Sequence, residues 1–210
     1  MDGMLLEPID GFCGTLDGQG HKISNLHIRS SRNYVGLFGL CVCGRGATVR
    51  SIALDSSCLV ERNNSSSKKK RYSRRDTGHE NQDTVHIGSV FGTYQSSDSS
   101  SNPCVVENVV SSADVSLPSN GMEAFVGGIY GSCGGNCAIR NAIYTGSIRV
   151  SGGGGGTGVA SGGIAGSCSN CTIEERARTT GQWLWKVQAV GTSSLAALWV
   201  CARTALLRGA

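Results

Sequence analysis

Ten cysteines in 210 residues are the most concentrated chemistry in this chain. They include the groups Cys41-x-Cys43, Cys133-x3-Cys137 and Cys168-x2-Cys171. A dense, even set of thiols points to disulfides in an oxidising compartment. The rival chemistry is zinc, held by Cys133, Cys137, Cys168 and Cys171 as four thiolates. Zinc ligands of that kind cluster in small knuckle modules, whereas these pairs lie inside glycine repeats, which favours disulfides.

The other candidates are weaker. Asp17-Gly18-Gln19-Gly20-His21 offers a carboxylate and an imidazole for acid–base work on a polysaccharide. Cleaving a sugar bond needs two or more carboxylates, or a carboxylate with a metal or Arg, converging on one point. Few acids recur at matched positions, so this segment is expected to be a tight turn that feeds a strand. The run Gly152 to Gly156 is not followed by Gly-Lys-Ser/Thr and lacks the Asp of calcium-binding nonapeptides, so it reads as a loop. His27, His79 and His86 are dispersed and match no nucleophile motif. The chain is therefore expected not to be an enzyme and to have no catalytic, cofactor-binding or metal-binding residues.

Charge adds one local feature. The net charge is +4, from 19 basic and 15 acidic residues. Lys68, Lys69, Lys70, Arg71, Arg74 and Arg75 supply six of the basic residues, which leaves the remainder near neutral. Such a run reads either as a nucleic-acid or import patch or as a solvated loop; its Asn- and Ser-rich surroundings favour the loop. No nucleic-acid partner is expected. No stretch of about 18 apolar residues is present, so no helical membrane span is expected.

The elements that position these residues are set by glycine. Gly accounts for 31 residues and Ser for 28. That much Gly excludes a helical bundle on entropic grounds. The Gly is also periodic. A glycine-bracketed apolar cluster occurs as Val35-Gly36-Leu37-Phe38-Gly39 and Ile87-Gly88-Ser89-Val90-Phe91-Gly92. It recurs as Val126-Gly127-Gly128-Ile129-Tyr130-Gly131 and Ser161-Gly162-Gly163-Ile164-Ala165-Gly166. A second element has apolar positions spaced by three and then two. Its copies are Ile23/Leu26/Ile28, Val49/Ile52/Leu54, Val106/Val109/Ser111 and Ile139/Ala142/Tyr144.

That spacing is neither helical nor a plain strand. With Asn25, Asn108 and Asn141 (and Ser51 in the second copy) just before the second apolar position, it reads as strand, left-handed corner, strand. A single unit cannot bury its apolar face, but stacked units can. Successive copies begin 26, 57, 33 and 34 residues apart, from Ile23 through Val49, Val106 and Ile139 to Ile173, and the 57 becomes 33 once Glu61 to Thr84 is set aside as an insertion. This register aligns Cys104, Cys137 and Cys171 in one column. Cross-strand bonds in that column, the local pairs Cys133–Cys137 and Cys168–Cys171, and reduced thiols all remain open.

The segment Phe12-Cys13-Gly14-Thr15-Leu16-Asp17-Gly18-Gln19-Gly20-His21-Lys22-Ile23-Ser24-Asn25-Leu26-His27-Ile28 resembles the lead-in to GLUG-motif repeats. Tyr34 to Gly39 and the later Gly-Gly-Ile clusters are similar to further repeats of that family. The resemblance implies a β-helix stalk in large surface or secreted proteins, including adhesins, in which the repeats present other domains and do not catalyse.

The expected architecture is an all-β, right-handed β-helix or β-solenoid of about four to five rungs over residues 8–175. Residues 61–84 form a basic, Ser-rich insertion loop, and residues 176–210 are atypical. All three Trp lie in that last segment, and Leu195, Leu198, Trp199, Ala202 and Leu206 form a helical stripe. It reads either as a cap helix or as sequence foreign to the fold. No signal peptide is visible at Met1 to Leu6. The expected role is a structural or adhesive, extracellular repeat segment of a larger protein, with a carbohydrate or protein surface ligand. The alternative is a polysaccharide-binding or polysaccharide-cleaving β-helix.

Overall fold

The computed structural model describes residues 4–42, 46–63, 84–95, 103–118, 122–151 and 158–173. Most of the 61–84 insertion and all of 176–210 lie outside these residues, as do Cys43, His79 and Cys201.

The described residues form three sheets in which every strand pair is parallel. One contains β1 (Met4–Leu6), β4 (Leu26–Ser30), β8 (Leu59–Arg62), β12 (Asp114–Pro118) and β15 (Ile148–Ser151), neighbours in that order. A four-stranded sheet is made by β5 (Tyr34–Val35), β9 (Val85–Ile87), β13 (Ala124–Gly127) and β16 (Val159–Gly162). The third has eight strands: β2 (Gly14–Asp17), β3 (Lys22–Ile23), β6 (Phe38–Val42), β7 (Ala47–Leu54), β10 (Phe91–Gln95), β11 (Cys104–Ser111), β14 (Tyr130–Tyr144) and β17 (Ala165–Ile173). The chain visits the sheets in turn, so equivalent residues of successive repeats become strand neighbours. Val49, Val106, Ile139 and Ile173 are consecutive Cα partners. Phe38, Phe91, Tyr130 and Ala165 form another such series.

The expected right-handed β-helix or β-solenoid of about four to five rungs is corrected by this arrangement, while the cap-helix reading of residues 176–210 falls outside the described residues. The strands divide into parallel sheets of five, eight and four strands, and no helix occurs among the described residues. The inequality has a local cause. In β14 the glycine cluster and the second apolar element are one continuous strand. The strand pairs with β10 along its first part and with β11 along its second, which merges two sets of strands into one sheet.

The three-plus-two spacing has its expected cause. Asn25, Ser51, Asn108 and Asn141 all have positive φ, between 47° and 56°. In β7 the corner at Ser51 resets the alternation, so Val49, Ile52 and Leu54 all point inward while Arg50 is exposed. A left-handed conformation costs an ordinary L-residue about 1–2 kcal/mol, and Asn tolerates it best. The first copy is out of register, however. Leu16, not Ile23, is the partner of Val49, and Ile23 is the partner of Leu54. The Asp17–His21 turn replaces the single corner residue there, so Ile23/Leu26/Ile28 straddles two sheets.

The interior is a continuous apolar column. Phe12 stacks on Phe38 with ring centroids 4.1 Å apart, and Phe38 lies 5.1 Å from Phe91. Phe91 stacks on Tyr130 at 4.9 Å. Leu37, Val90 and Ile129 are buried beside them. The bracketing glycines let strands cross closely: a β-carbon on Gly92 would meet the backbone of Val35, Gly39 and Tyr34. No helix among the described residues is long and apolar enough to cross a membrane.

Candidate functional site

Two columns of cysteine and tyrosine run through the eight-stranded sheet. Cys104 on β11, Cys137 on β14 and Cys171 on β17 are successive Cα partners, as the repeat register requires. The second column is Cys41 on β6, Tyr94 on β10, Cys133 on β14 and Cys168 on β17. Disulfides join the columns within a strand, Cys133–Cys137 with Cα atoms 6.5 Å apart and Cys168–Cys171 with 5.8 Å. The four sulfurs of the zinc alternative are thus paired in two disulfides, a state that cannot supply four thiolates.

Cys41, Cys58 and Cys104 are buried free thiols, and Cys13 is disulfide-bonded. Cys104 Sγ lies 3.0 Å from the Tyr130 hydroxyl. Burial pushes the Cys104 thiol up to about 12, against the opposing effect of the Tyr130 hydrogen bond. Burial likewise holds Cys41 at about 12 and raises Tyr130 well above the ordinary phenol value. A thiolate is costly in such a place, so these groups are shielded in the folded state.

A polar chain that the sequence analysis missed lies between the four- and eight-stranded sheets. His86 Nδ1 is 2.6 Å from Ser132 Oγ, which is 2.8 Å from Thr93 Oγ1. The His86 ring is flanked by Tyr34 at 5.2 Å and Phe125 at 5.3 Å. A Ser–His contact can activate a nucleophile. Here all three residues are buried, so the contact satisfies interior polar groups instead. One available signal was that Thr93 and Ser132 each stand two residues after an aligned aromatic, Phe91 and Tyr130.

The outer face of the same sheet carries charge at strand spacing. Asp17, Arg50, Glu107 and Arg140 are successive Cα partners on β2, β7, β11 and β14. Asp17 and Arg50 form an ion pair at 2.9 Å. The Asp17 carboxylate also accepts from the Gln19 amide at 2.9 Å, and these contacts hold its pKa low despite some desolvation. His21 N–H donates to the Gly18 carbonyl at 2.7 Å. Residues 17–21 are therefore the expected turn, with the Asp engaged in building it.

Further acids follow the same habit. Asp55 accepts from the Ser24 and Ser57 hydroxyls, the Ser57 amide and Lys22, which hold its carboxyl well below the usual range. Asp114 is desolvated, yet bonds from Ser147 and the Arg149 pair at 2.7 Å keep its pKa lowered. Arg29 and Glu61 pair at 2.8 Å. His27 is exposed on β4. Among the described residues no group of three or more His, Cys, Asp or Glu is placed to hold a metal ion. Protein-family models, curated proteins and solved structures contain no match to this chain.

Proposed function

We propose that this chain is a structural and adhesive segment, a GLUG-like repeat array within a larger surface or secreted protein, and not an enzyme. The observation that supports this reading most is the charge column Asp17–Arg50–Glu107–Arg140 on one face of a single sheet. Its members repeat at about 4.8 Å, the spacing of paired strands. Acids spread along such a column alternate with Arg and suit contact with an extended ligand better than attack on one bond. Disulfides within β14 and β17 fit an extracellular setting.

The test is binding to a panel of immobilised polysaccharides and surface proteins. Saturable binding that is lost in an Arg50→Gln/Arg140→Gln double variant, shown by its cooperative melting curve to remain folded, is the expected result. Release of reducing ends from any bound polysaccharide would overturn the non-enzymatic reading and favour a polysaccharide-cleaving protein.

A further inference from the structure

Cys133 and Cys137 are separated by three residues, but Cys168 and Cys171 by two. A register shift between Gly134 and Cys137 absorbs the extra residue. Cys133 therefore stays opposite Cys168 while Cys137 stays opposite Cys171. On the other side of β14, Cys104 is opposite Cys137. Neighbouring strands lie about 4.8 Å apart, and disulfides bridge Cα separations of about 4.4–6.8 Å. Cys133, Cys137, Cys168 and Cys171 thus each have a permitted partner along their own strand and another across the sheet. Pairing along the strands leaves Cys104 as the thiol; pairing across the sheet as Cys104–Cys137 and Cys133–Cys168 leaves Cys171.

We propose that these five cysteines form a disulfide ladder with two registers, interconverted by internal thiol–disulfide exchange that moves one thiol from Cys104 to Cys171. In the first step the Cys104 thiolate attacks Cys137 Sγ. The Cys104–Cys137 bond forms, the Cys133–Cys137 bond breaks, and Cys133 leaves as the thiolate. In the second step Cys133 attacks Cys168 Sγ. The Cys133–Cys168 bond forms and Cys171 is released, taking up the proton that Cys104 lost. Two disulfides and one thiol stand on each side, so neither oxidant nor reductant is consumed.

The two registers differ in mechanics and in reactivity. The first joins residues within β14 and within β17; the second ties β11, β14 and β17 together. Cys104 is fully buried, whereas Cys171 is only partly buried on β17. The exchange therefore carries a shielded thiol to a place where an external disulfide can meet it. The full burial of Cys104, which raises its thiol pKa against the opposing Tyr130 contact, keeps the first register long-lived until the sheet opens locally.

The test maps bonds in the full chain. Protein with its native disulfides is held at mildly alkaline pH in sub-denaturing urea, without added thiol or oxidant. It is quenched in acid, alkylated, digested at acid pH and analysed by mass spectrometry. The Cys104–Cys137 and Cys133–Cys168 peptides should appear together while the alkyl label moves from Cys104 to Cys171. Cys104→Ser should abolish both peptides and leave the local pairs intact. Cys58→Ser, which removes a buried thiol outside the ladder, should exchange as the unaltered chain does. The proposal is overturned if no cross-strand peptide forms, if Cys133–Cys168 still forms in Cys104→Ser, or if Cys133 and Cys137 are recovered as thiols at the outset.

Discussion

Replacing Gly92 with alanine tests the close crossing of strands that shapes the interior. An added β-carbon would stand 2.6 Å from the Val35 nitrogen, 2.9 Å from the Gly39 carbonyl oxygen and 2.9 Å from the Tyr34 carbonyl carbon. All three atoms belong to backbone, so no side-chain rotation relieves the contact. The backbone that would have to move is itself fixed, since the Gly88 amide donates to the Val35 carbonyl at 3.0 Å and the His86 amide to Asn33 at 2.7 Å. Overpacking of a well-filled interior costs about 1–3 kcal/mol, and three backbone contacts place this site at the upper end. The reduced entropy of the unfolded chain returns about 0.4–1 kcal/mol. The net loss is then about 2–2.6 kcal/mol, or a fall in Tm of about 4–10 °C for a domain of this size. Gly158→Ala is the control, because nothing lies within 4 Å of its added β-carbon and its φ is not left-handed. It should leave Tm unchanged or raise it slightly. Thermal melts followed by circular dichroism, with urea titrations as a check on two-state behaviour, provide the measurement. If Gly92→Ala melts within about 2 °C of the parent protein, the close crossing is not a structural constraint and the reasoning fails.

Two further perturbations address the corners and the acids. Asn108→Ala at φ 52° should cost about 1–2 kcal/mol in urea unfolding, and it also removes the bond from Asn141 Nδ2 to Asn108 Oδ1 at 2.6 Å; Asn108→Gly should recover most of the backbone part. Asp17, Asp55 and Asp114 all have lowered pKa values in the fold, so the unfolded chain binds protons more readily. Their stabilisation is complete above the ordinary carboxylate value of about 4 and is lost as pH falls through the folded values. Tm should therefore drop steeply below about pH 4, and Asp114→Asn should lower Tm at neutral pH while making the acid fall shallower.

What the sequence made legible follows from the direction of the contacts. Contacts between equivalent positions of successive repeats recur at the repeat period. Asp17 with Arg50, Asn108 with Asn141, Ser112 with Thr145 and Asp114 with Ser147 are all 33 residues apart. Stacking imposes that separation, so aligning the repeats was enough to place Cys104 opposite Cys137 and Cys137 opposite Cys171. Contacts between different positions of the repeat carry no such period. His86 meets Ser132 at a separation of 46 and Cys104 meets Tyr130 at 26, and neither follows from any alignment. The same limit explains the first copy, where the Asp17–His21 turn breaks the period and the apolar spacing alone pointed to the wrong partners. It also explains why β14 was not foreseen as one strand, since fusing two elements leaves the period unchanged. The disulfides fall between these cases. Pairing along a strand and pairing across the sheet both satisfy the distance rule, and the repeat spacing allows both equally. The register that makes the cysteine columns readable is thus the same property that leaves their bonding undecided in sequence, and the bulge between Gly134 and Cys137 maintains it in the fold.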